Sequence, residues 1–281
     1  MARSARSRRE ATRSATGARL ALPTYRLAVE YDGTEFHGFQ VQPGIRTVGG
    51  ELEGALCALF HTQIAVSAAG RTDAGVHASG QVVSFKSERE FPAGRLALAL
   101  NATLPDDLSV REAALVESGF SARFDAHERV YEYVILNRPM PSAICARWTH
   151  HVHRPIDEAL LARAAQDLVG HHDFVAFCGV LPEFGGTART LNAVEVEREG
   201  ELVRIRLRAE SFIHRMVRIV VGTLVEIATG RRDPEEIPRI LASRDRREAG
   251  YTAPPAGLFL AGVRYADYDS YARPRLAYAG S

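Results

Sequence analysis

The sequence predicts an α+β fold built from two related halves. Segments in which apolar and polar residues alternate predict strands, and segments with apolar residues three and four positions apart predict helices. In the first half these segments follow the order strand, helix, strand, strand, helix, strand, and the second half repeats a similar order loosely. No short-period repeat is present. This order is typical of sheets with helices packed on one face.

Composition sets the class of protein. The chain has 281 residues, of which 46% are hydrophobic and 25% charged, as in an ordinary soluble globular protein. Cys57, Cys145 and Cys178 lie far apart, without metal-ligand or redox spacing, which predicts free thiols in a reducing compartment. No uncharged apolar run is long enough to span a membrane. The arginine-rich start lacks the apolar segment of a secretory signal.

Charge is distributed unevenly along the chain. Residues 1–20 hold six arginines and one glutamate, which leaves 29 basic and 33 acidic residues in the rest. The first residues therefore form a solvated basic arm that cannot build a core. The arm either attracts phosphate groups or is a disordered leader without a binding role. Because the body has a net charge of −4, any site for a polyanion must be a local groove.

The elements of the first half follow from local patterns. Tyr25 to Tyr31 alternates as a strand that ends before Asp-Gly. Thr47 is placed to cap a helix that runs to about Leu59. Further segments complete this half: a helix from Pro92 to Leu100 and a short strand from Leu108 to Leu115.

The second half contains longer elements. Arg129 to Asn137 alternates as a strand with Tyr131 and Tyr133 on one face. Phe212 to Thr229 has the strongest helical pattern, with His214 and Arg218 four residues apart and Arg215 beside them. The remaining elements are a connection over 138–154, a helix from Ile156 to Val169, a hairpin over 192–198 and 201–209, a helix from Pro234 to Ser243 and a strand from Leu258 to Val263. We expect a basic tail at 1–24, α+β domains at 25–118 and 119–265, and a tail at 266–281.

The loop over 68–81 stands out chemically. It contains one carboxylate, one guanidinium and one imidazole among small or uncharged residues, and strand-like runs flank it at 64–66 and 82–85. Glycines on both sides of Arg71 and Asp73 indicate a sharp turn or a close approach of another molecule. The loop either aims Asp73 into a cleft or uses it as an ordinary turn residue.

Other familiar sites are absent from the sequence. His150, His151 and His153 cluster, as do His171 and His172, but neither group has the spacing of a metal site. No phosphate loop, dinucleotide fingerprint or nucleophile elbow is present. Three weaker features remain: Arg71 beside the lone carboxylate, the strand tyrosines Tyr131 and Tyr133, and the arginines at 215 and 218 on an apolar helix. Each feature also fits ordinary packing or an ion pair.

Several motifs together match a known family. Gly70 to Ala78 resembles the signature of the bacterial TruA-type tRNA pseudouridine synthases. Further motifs resemble the family in the same order over about residues 25–265: Glu30 to Gly33, Asn101 to Pro105, Phe120 to Phe124, Arg129 to Tyr133, Met216 to Arg218 and Ala256 to Leu260.

The resemblance implies a fold and a reaction. The fold would be two ferredoxin- or RRM-like halves, with mixed, mainly antiparallel sheets that meet at a central active-site cleft. The reaction would isomerise uridine to pseudouridine at positions 38, 39 and 40 of the tRNA anticodon stem-loop, without a cofactor or metal. Asp73 would be the essential carboxylate, as nucleophile at the sugar or as base in a glycal route. A cytoplasmic homodimer that binds tRNA across both subunits is also implied.

The resemblance also implies residue roles. Arg218 would pair with Asp73 and favour its ionised form. Arg71 would take the place of the extruded base, and Tyr131 would stack on the uracil and assist proton removal at C5. RNA contacts are expected from Phe120, Ser121, Ala122, Arg123 and Phe124, and from Gly186, Thr187, Ala188 and Arg189.

Three other functions stay open at this point. A nucleoside or glycan hydrolase usually needs a second carboxylate, and the loop offers one. A non-catalytic RNA-binding relative would not need Asp73, Tyr131 and Arg218 together. An isomerase could also act on a different RNA.

Overall fold

The computed structural model describes residues 22–274, so the basic arm and the last residues of the chain lie outside it. The strands are β1 Thr24–Tyr31, β2 Ser67–Ala68, β3 His77–Lys86, β4 Leu108–Val116, β5 Glu128–Asn137, β6 His150–Val152, β7 Gly170–Asp173, β8 Ala188–Glu199, β9 Leu202–Ala209 and β10 Leu258–Arg264. The helices are α1 Val48–Phe60, α2 Ala93–Asn101, α3 Glu158–Gln166, α4 Met216–Ala228 and α5 Glu236–Ser243.

One mixed, mostly antiparallel sheet organises these elements, which confirms the predicted α+β class. Its strand order is β4-β1-β3-β10-β5-β9-β8-β7, with β2 paired to β3 and β6 paired to β5. The last strand, β10, lies between the strands of the two halves. It is parallel to β3 through Phe259 and Leu260 and antiparallel to β5. The two halves thus share a sheet, and the domain boundary at residue 118 stays a prediction.

Strand alternation divides the side chains between two clusters. On β5, Tyr131 and Tyr133 enter the main core, as their predicted common face requires. Val134 and Leu136 belong to a separate, smaller cluster. Helical residues of all five helices reach the main core: Leu52, Leu96, Leu161, Leu224 and Ile237. The main core therefore spans both halves of the chain.

Helix α1 begins as its sequence predicts. The Thr47 hydroxyl accepts a hydrogen bond from the Gly50 backbone at 3.2 Å, the geometry of a helix N-cap. Among residues 22–274, no helix is both long and apolar enough to cross a membrane.

Three local predictions were wrong. Helix α4 begins at Met216 rather than Phe212, because Arg215 has φ +58° and this left-handed backbone interrupts the helix. The predicted connection over 138–154 contains β6, which adds to the edge of β5. The strand before the glycine-rich loop is β2 rather than residues 64–66.

Helix α4 packs against the chain that follows it at one glycine. A Cβ at Gly222 would lie 1.9 Å from the carbonyl oxygen of Tyr251. We expect Gly222→Ala to lower the free energy of unfolding by roughly 3 kcal/mol through overpacking. The matched control is Gly54→Ala in α1, where an added Cβ meets nothing within 4 Å. This control should raise stability by about 1 kcal/mol through helix propensity. Urea unfolding measures the free energy of unfolding of both variants. Equal changes in the two would contradict the close packing of Gly222 against Tyr251.

Candidate active site

The loop that carries Asp73 is fixed by the segment that follows β1. Phe39 donates its backbone N–H to the Thr72 carbonyl at 3.1 Å, and Gly75 donates to the Phe36 carbonyl at 3.2 Å. Gly38 allows this contact, because its φ is +89° and a Cβ there would lie 2.7 Å from the Thr72 oxygen. The loop is therefore held through its backbone, and the side chains of Arg71 and Asp73 are not needed for this contact.

A buried arginine holds the start of the same loop. Arg129 donates to the Ala69 carbonyl from Nε at 3.1 Å and from Nη2 at 3.0 Å. Its Nη1 donates to the carbonyls of Ala126 and Glu210. Gln81 also donates to the Gly70 carbonyl at 2.6 Å. Sequence reasoning quoted Arg129 within a motif but gave it no role, because its partners are backbone carbonyls that no local pattern shows.

Two arginines and one histidine approach the carboxylate of Asp73. Arg218 Nη1 donates to Asp73 Oδ2 at 3.0 Å, and Arg218 Nε donates to the Ala253 carbonyl at 2.8 Å. Nε2 of His214 lies 3.8 Å from Oδ1, and Nε of Arg215 lies 4.0 Å from Oδ2. In the described part of the chain, two guanidinium groups and one imidazole thus lie within 4.0 Å of this carboxylate.

The turn before α4 brings two of these side chains to the cleft. The helix pattern placed His214 and Arg215 on α4, whereas both precede it. Gly179 lies against this turn and donates its N–H to the His214 carbonyl at 2.9 Å. A Cβ at Gly179 would meet His214 Nδ1 at 2.8 Å and Arg215 Cδ at 3.0 Å. The position of the turn therefore depends on a residue without a side chain.

Tyr131 reaches the same cleft from β5. Its ring meets Phe212 edge to face, with 5.0 Å between ring centroids, and is 8% exposed. Burial raises the pKa of the Tyr131 hydroxyl well above its usual range. Burial therefore opposes the formation of a phenolate at Tyr131.

These side chains line one cavity of about 620 Å³. Six arginines line it: Arg71, Arg123, Arg129, Arg189, Arg215 and Arg218. The acidic side chains of the lining are Asp73 and Glu210, and sequence reasoning did not single out Glu210. Although the body of the chain is acidic overall, the cavity is a local cationic groove of the kind that attracts phosphate groups.

The predicted RNA-contact segments reach the cavity in part. Arg123, Phe124 and Arg189 line it. Ala122 is fully buried, and Phe120 packs on Tyr265 with 5.2 Å between ring centroids. The other predicted positions, Ser121, Gly186, Thr187 and Ala188, are not part of the lining.

His77 of the glycine-rich loop turns away from this cavity. It lies on β3, is buried, and its Nδ1 accepts the Gly33 N–H at 2.9 Å. Its ring stacks on Phe259 with 4.8 Å between centroids. The carboxylate of Asp32 lies 3.1 Å from Nδ1 and accepts a hydrogen bond from Trp148. His77 therefore supports the loop from the opposite side.

The fold and the site define an α+β protein whose arginine-lined cleft surrounds one ion-paired carboxylate. A family profile described as tRNA pseudouridine synthase matches residues 27–125 and 164–266. The chain belongs to this family.

Relatives called tRNA pseudouridine synthase A are similar along most of their length. The protein of Halalkalibacterium halodurans is 45% identical over 83% of this chain and 89% of its own. The protein of Brevibacillus brevis is 43% identical over 85% of this chain and 98% of its own. That of Caulobacter vibrioides is 42% identical over 88% of this chain and 100% of its own.

The buried Tyr131 hydroxyl predicts a loss of stability in alkali. The unfolded chain ionises this tyrosine near its ordinary pKa of 10.0, whereas the folded chain keeps it protonated to higher pH. The free energy of unfolding should therefore fall as pH rises above 10. Tyr131→Phe should make this decline shallower by up to about 1.4 kcal/mol per pH unit. Urea unfolding between pH 9 and 12 measures the difference, and parallel curves would contradict the burial of the hydroxyl.

Proposed function

We propose that this protein isomerises uridine to pseudouridine at positions 38, 39 and 40 of the tRNA anticodon stem-loop, with Asp73 as the essential carboxylate. The proposal rests above all on the Asp73–Arg218 pair, at 3.0 Å, in an arginine-lined cavity. Membership of the tRNA pseudouridine synthase family supports the substrate and the reaction.

The chemistry needs one ionised carboxylate in a fixed position. The N1–C1′ bond of the target uridine breaks, the uracil turns, and C5 bonds to C1′. Asp73 attacks C1′ as a nucleophile or removes a sugar proton to give a glycal. In either route the hydrogen bond from Arg218 Nη1 holds the carboxylate in position before it reacts. The reaction neither oxidises the substrate nor consumes water.

The cavity offers contacts for a flipped nucleotide. A uridine in a stem must leave the helical stack before its sugar can reach Asp73, and Arg71 fills the vacated position. Tyr131 packs on the uracil ring. Arg123 and Arg189 neutralise backbone phosphates, and the ring of Phe124, which is 78% exposed, offers a surface for base stacking.

Membership of this family also supports an inference about the wider organisation. We infer a cytoplasmic homodimer that binds tRNA across both subunits. Within each subunit, residues 25–118 carry the loop of Asp73 and residues 119–265 carry Tyr131 and Arg218. The shared strand β10 fixes these two parts relative to each other.

Substitution of the carboxylate tests the chemistry. Asp73→Asn should lower pseudouridine formation by at least about 10⁴-fold, because the amide is neither a nucleophile nor a base. Binding of tRNA should persist, since the change removes a negative charge from a cationic cleft. Mapping of modified uridines in treated tRNA measures formation and position together, and filter binding measures affinity. Wild-type turnover by the mutant would remove Asp73 from the mechanism.

The loop contact at Gly38 provides a second test. Gly38→Ala should reduce pseudouridine formation because its Cβ would push the Thr72 carbonyl and displace Asp73. Gly44→Ala is the matched control: Gly44 has φ +70°, and its Cβ would meet nothing within 4 Å. Both variants lose about 1–2 kcal/mol from the left-handed backbone, but the control should keep its single-turnover rate. Equal rates in the two variants would show that the contact does not position the loop.

A further inference from the structure

We propose that Arg215 binds a phosphate group of the nucleotide on which Asp73 acts. The ligand is the phosphodiester on the 3′ or the 5′ side of the reacting ribose. This inference rests on the proposed function, and it identifies the side chain that would hold the sugar of the target uridine against the carboxylate.

The guanidinium of Arg215 is available to a ligand, in contrast to that of Arg218. Arg218 donates to Asp73 Oδ2 and to the Ala253 carbonyl, and its side chain is 13% exposed. Arg215 Nε lies 4.0 Å from Asp73 Oδ2, which is too long for a hydrogen bond. The Arg215 side chain is 49% exposed and lines the cavity. Its guanidinium therefore brings N–H donors that a substrate group can use.

The backbone fixes Arg215 at this place. Its φ of +58° is a conformation that residues other than glycine rarely adopt, and conformations of this kind are concentrated at functional sites. The stem of the side chain packs on Gly179, where an added Cβ would lie 3.2 Å from Arg215 Cβ and 3.0 Å from Cδ. On the following helix, Ile219 donates its N–H to the Arg215 carbonyl at 3.0 Å. The side chain thus starts from a fixed position beside Asp73.

The ligand follows from the geometry of a nucleotide. Asp73 would act at C1′ or on a neighbouring sugar proton, and both phosphates are joined to the same ribose through O3′ and O5′. A cation that lies within 4.0 Å of the carboxylate is therefore placed to meet one of these phosphates. In residues 22–274 the arginines within this distance of Asp73 are Arg215 and Arg218, and Arg218 is already engaged. A planar guanidinium binds phosphate oxygens through two parallel hydrogen bonds.

The contact would orient the substrate rather than recognise its base. Phosphate contacts fix the position of a nucleic acid but carry no sequence information. Small errors in the placement of a reacting group lower the rate steeply. Arg215 should therefore contribute to the rate of isomerisation as well as to the affinity for tRNA.

The test combines a variant of Arg215 with a change at single phosphates. A methylphosphonate, which carries no charge, replaces the phosphate 3′ or 5′ of the target uridine in otherwise complete tRNA. A 2′-O-methyl group on the ribose before this linkage prevents cleavage, and the reference tRNA carries the same group. In filter binding with the full chain, wild type should lose affinity roughly tenfold at one of the two linkages, whereas Arg215→Gln should bind both RNAs like the reference. Arg215→Gln should also lower the slope of log affinity against log salt concentration by roughly 0.7–0.9.

Two other arginines serve as controls. Arg189 lines the same cavity, but its Nη1 donates to the carbonyls of Ala188 and Gly186. Arg239 lies on α5 outside the cavity lining, and its side chain is 66% exposed. Arg189→Gln and Arg239→Gln should keep the tenfold loss that wild type shows at the same linkage. A loss that disappears in Arg189→Gln and persists in Arg215→Gln would assign the phosphate to Arg189 and overturn the inference.

Two further substitutions separate the contact from folding. Arg215→Gly removes the strain of the left-handed backbone, so it should be at least as stable as wild type in urea while it loses the response to methylphosphonate. Arg215→Lys keeps the charge without the planar fork and should regain part of the affinity. With unmodified tRNA and saturating protein, single-turnover pseudouridine formation should fall roughly tenfold in Arg215→Gln and Arg215→Gly. A wild-type rate in both variants would overturn the orienting role.

The remaining outcomes separate this inference from the proposed function. Equal affinity losses in wild type and Arg215→Gln at both linkages would overturn the inference, and so would a wild type that binds all these RNAs equally. If wild type forms pseudouridine while one of these results is obtained, the inference fails alone. If wild type forms no pseudouridine in unmodified tRNA, the proposed function fails and the inference fails with it.

Discussion

The ion pair between Asp73 and Arg218 is the interaction on which the rest of the structure depends. The two residues are 145 positions apart, and their side chains are 26% and 13% exposed. A half-buried carboxylate loses hydration, and the hydrogen bond from a guanidinium at 3.0 Å offsets part of this loss. The pair can form only if the two halves of the chain keep a fixed position relative to each other. Strand β10, which lies between β3 and β5 in the shared sheet, holds them in this position.

The loop that carries the carboxylate is held through its backbone N–H and carbonyl groups. Arg129 donates to carbonyl oxygens, and the chain near Gly38 meets the loop through backbone hydrogen bonds. These contacts place no competing carboxylate beside Asp73. A preorganised site of this kind needs no rearrangement when charge develops on the substrate, which is how electrostatic catalysis gains its effect. The residues that anchor the loop backbone are therefore different from the residue that reacts.

The sequence predicts those parts of the site whose pattern lies within one strand or one helix. Strand alternation placed Tyr131 on the core face, and the helical period placed Arg218 on α4. The start of α4 was missed because the left-handed Arg215 is imposed by packing, which no propensity encodes. Ala122 belongs to a segment expected to touch RNA, but tertiary contacts bury it. Local periodicity therefore predicts the strands and helices. The residues that hold the loop backbone, and those of the expected RNA-contact segments that are exposed, can be identified only in the folded chain.

The arrangement of charge resolves a conflict in the proposed reaction. RNA phosphates repel a carboxylate, yet Asp73 must approach a sugar that lies between two phosphates. Arg218 and Arg215 lie beside the carboxylate, so an approaching phosphate meets positive charge first. Arg123 and Arg189 extend this charge along the cavity lining. Six arginines line the cavity although the chain beyond the basic arm is acidic, so in the proposed reaction the field of the cavity would attract RNA towards Asp73.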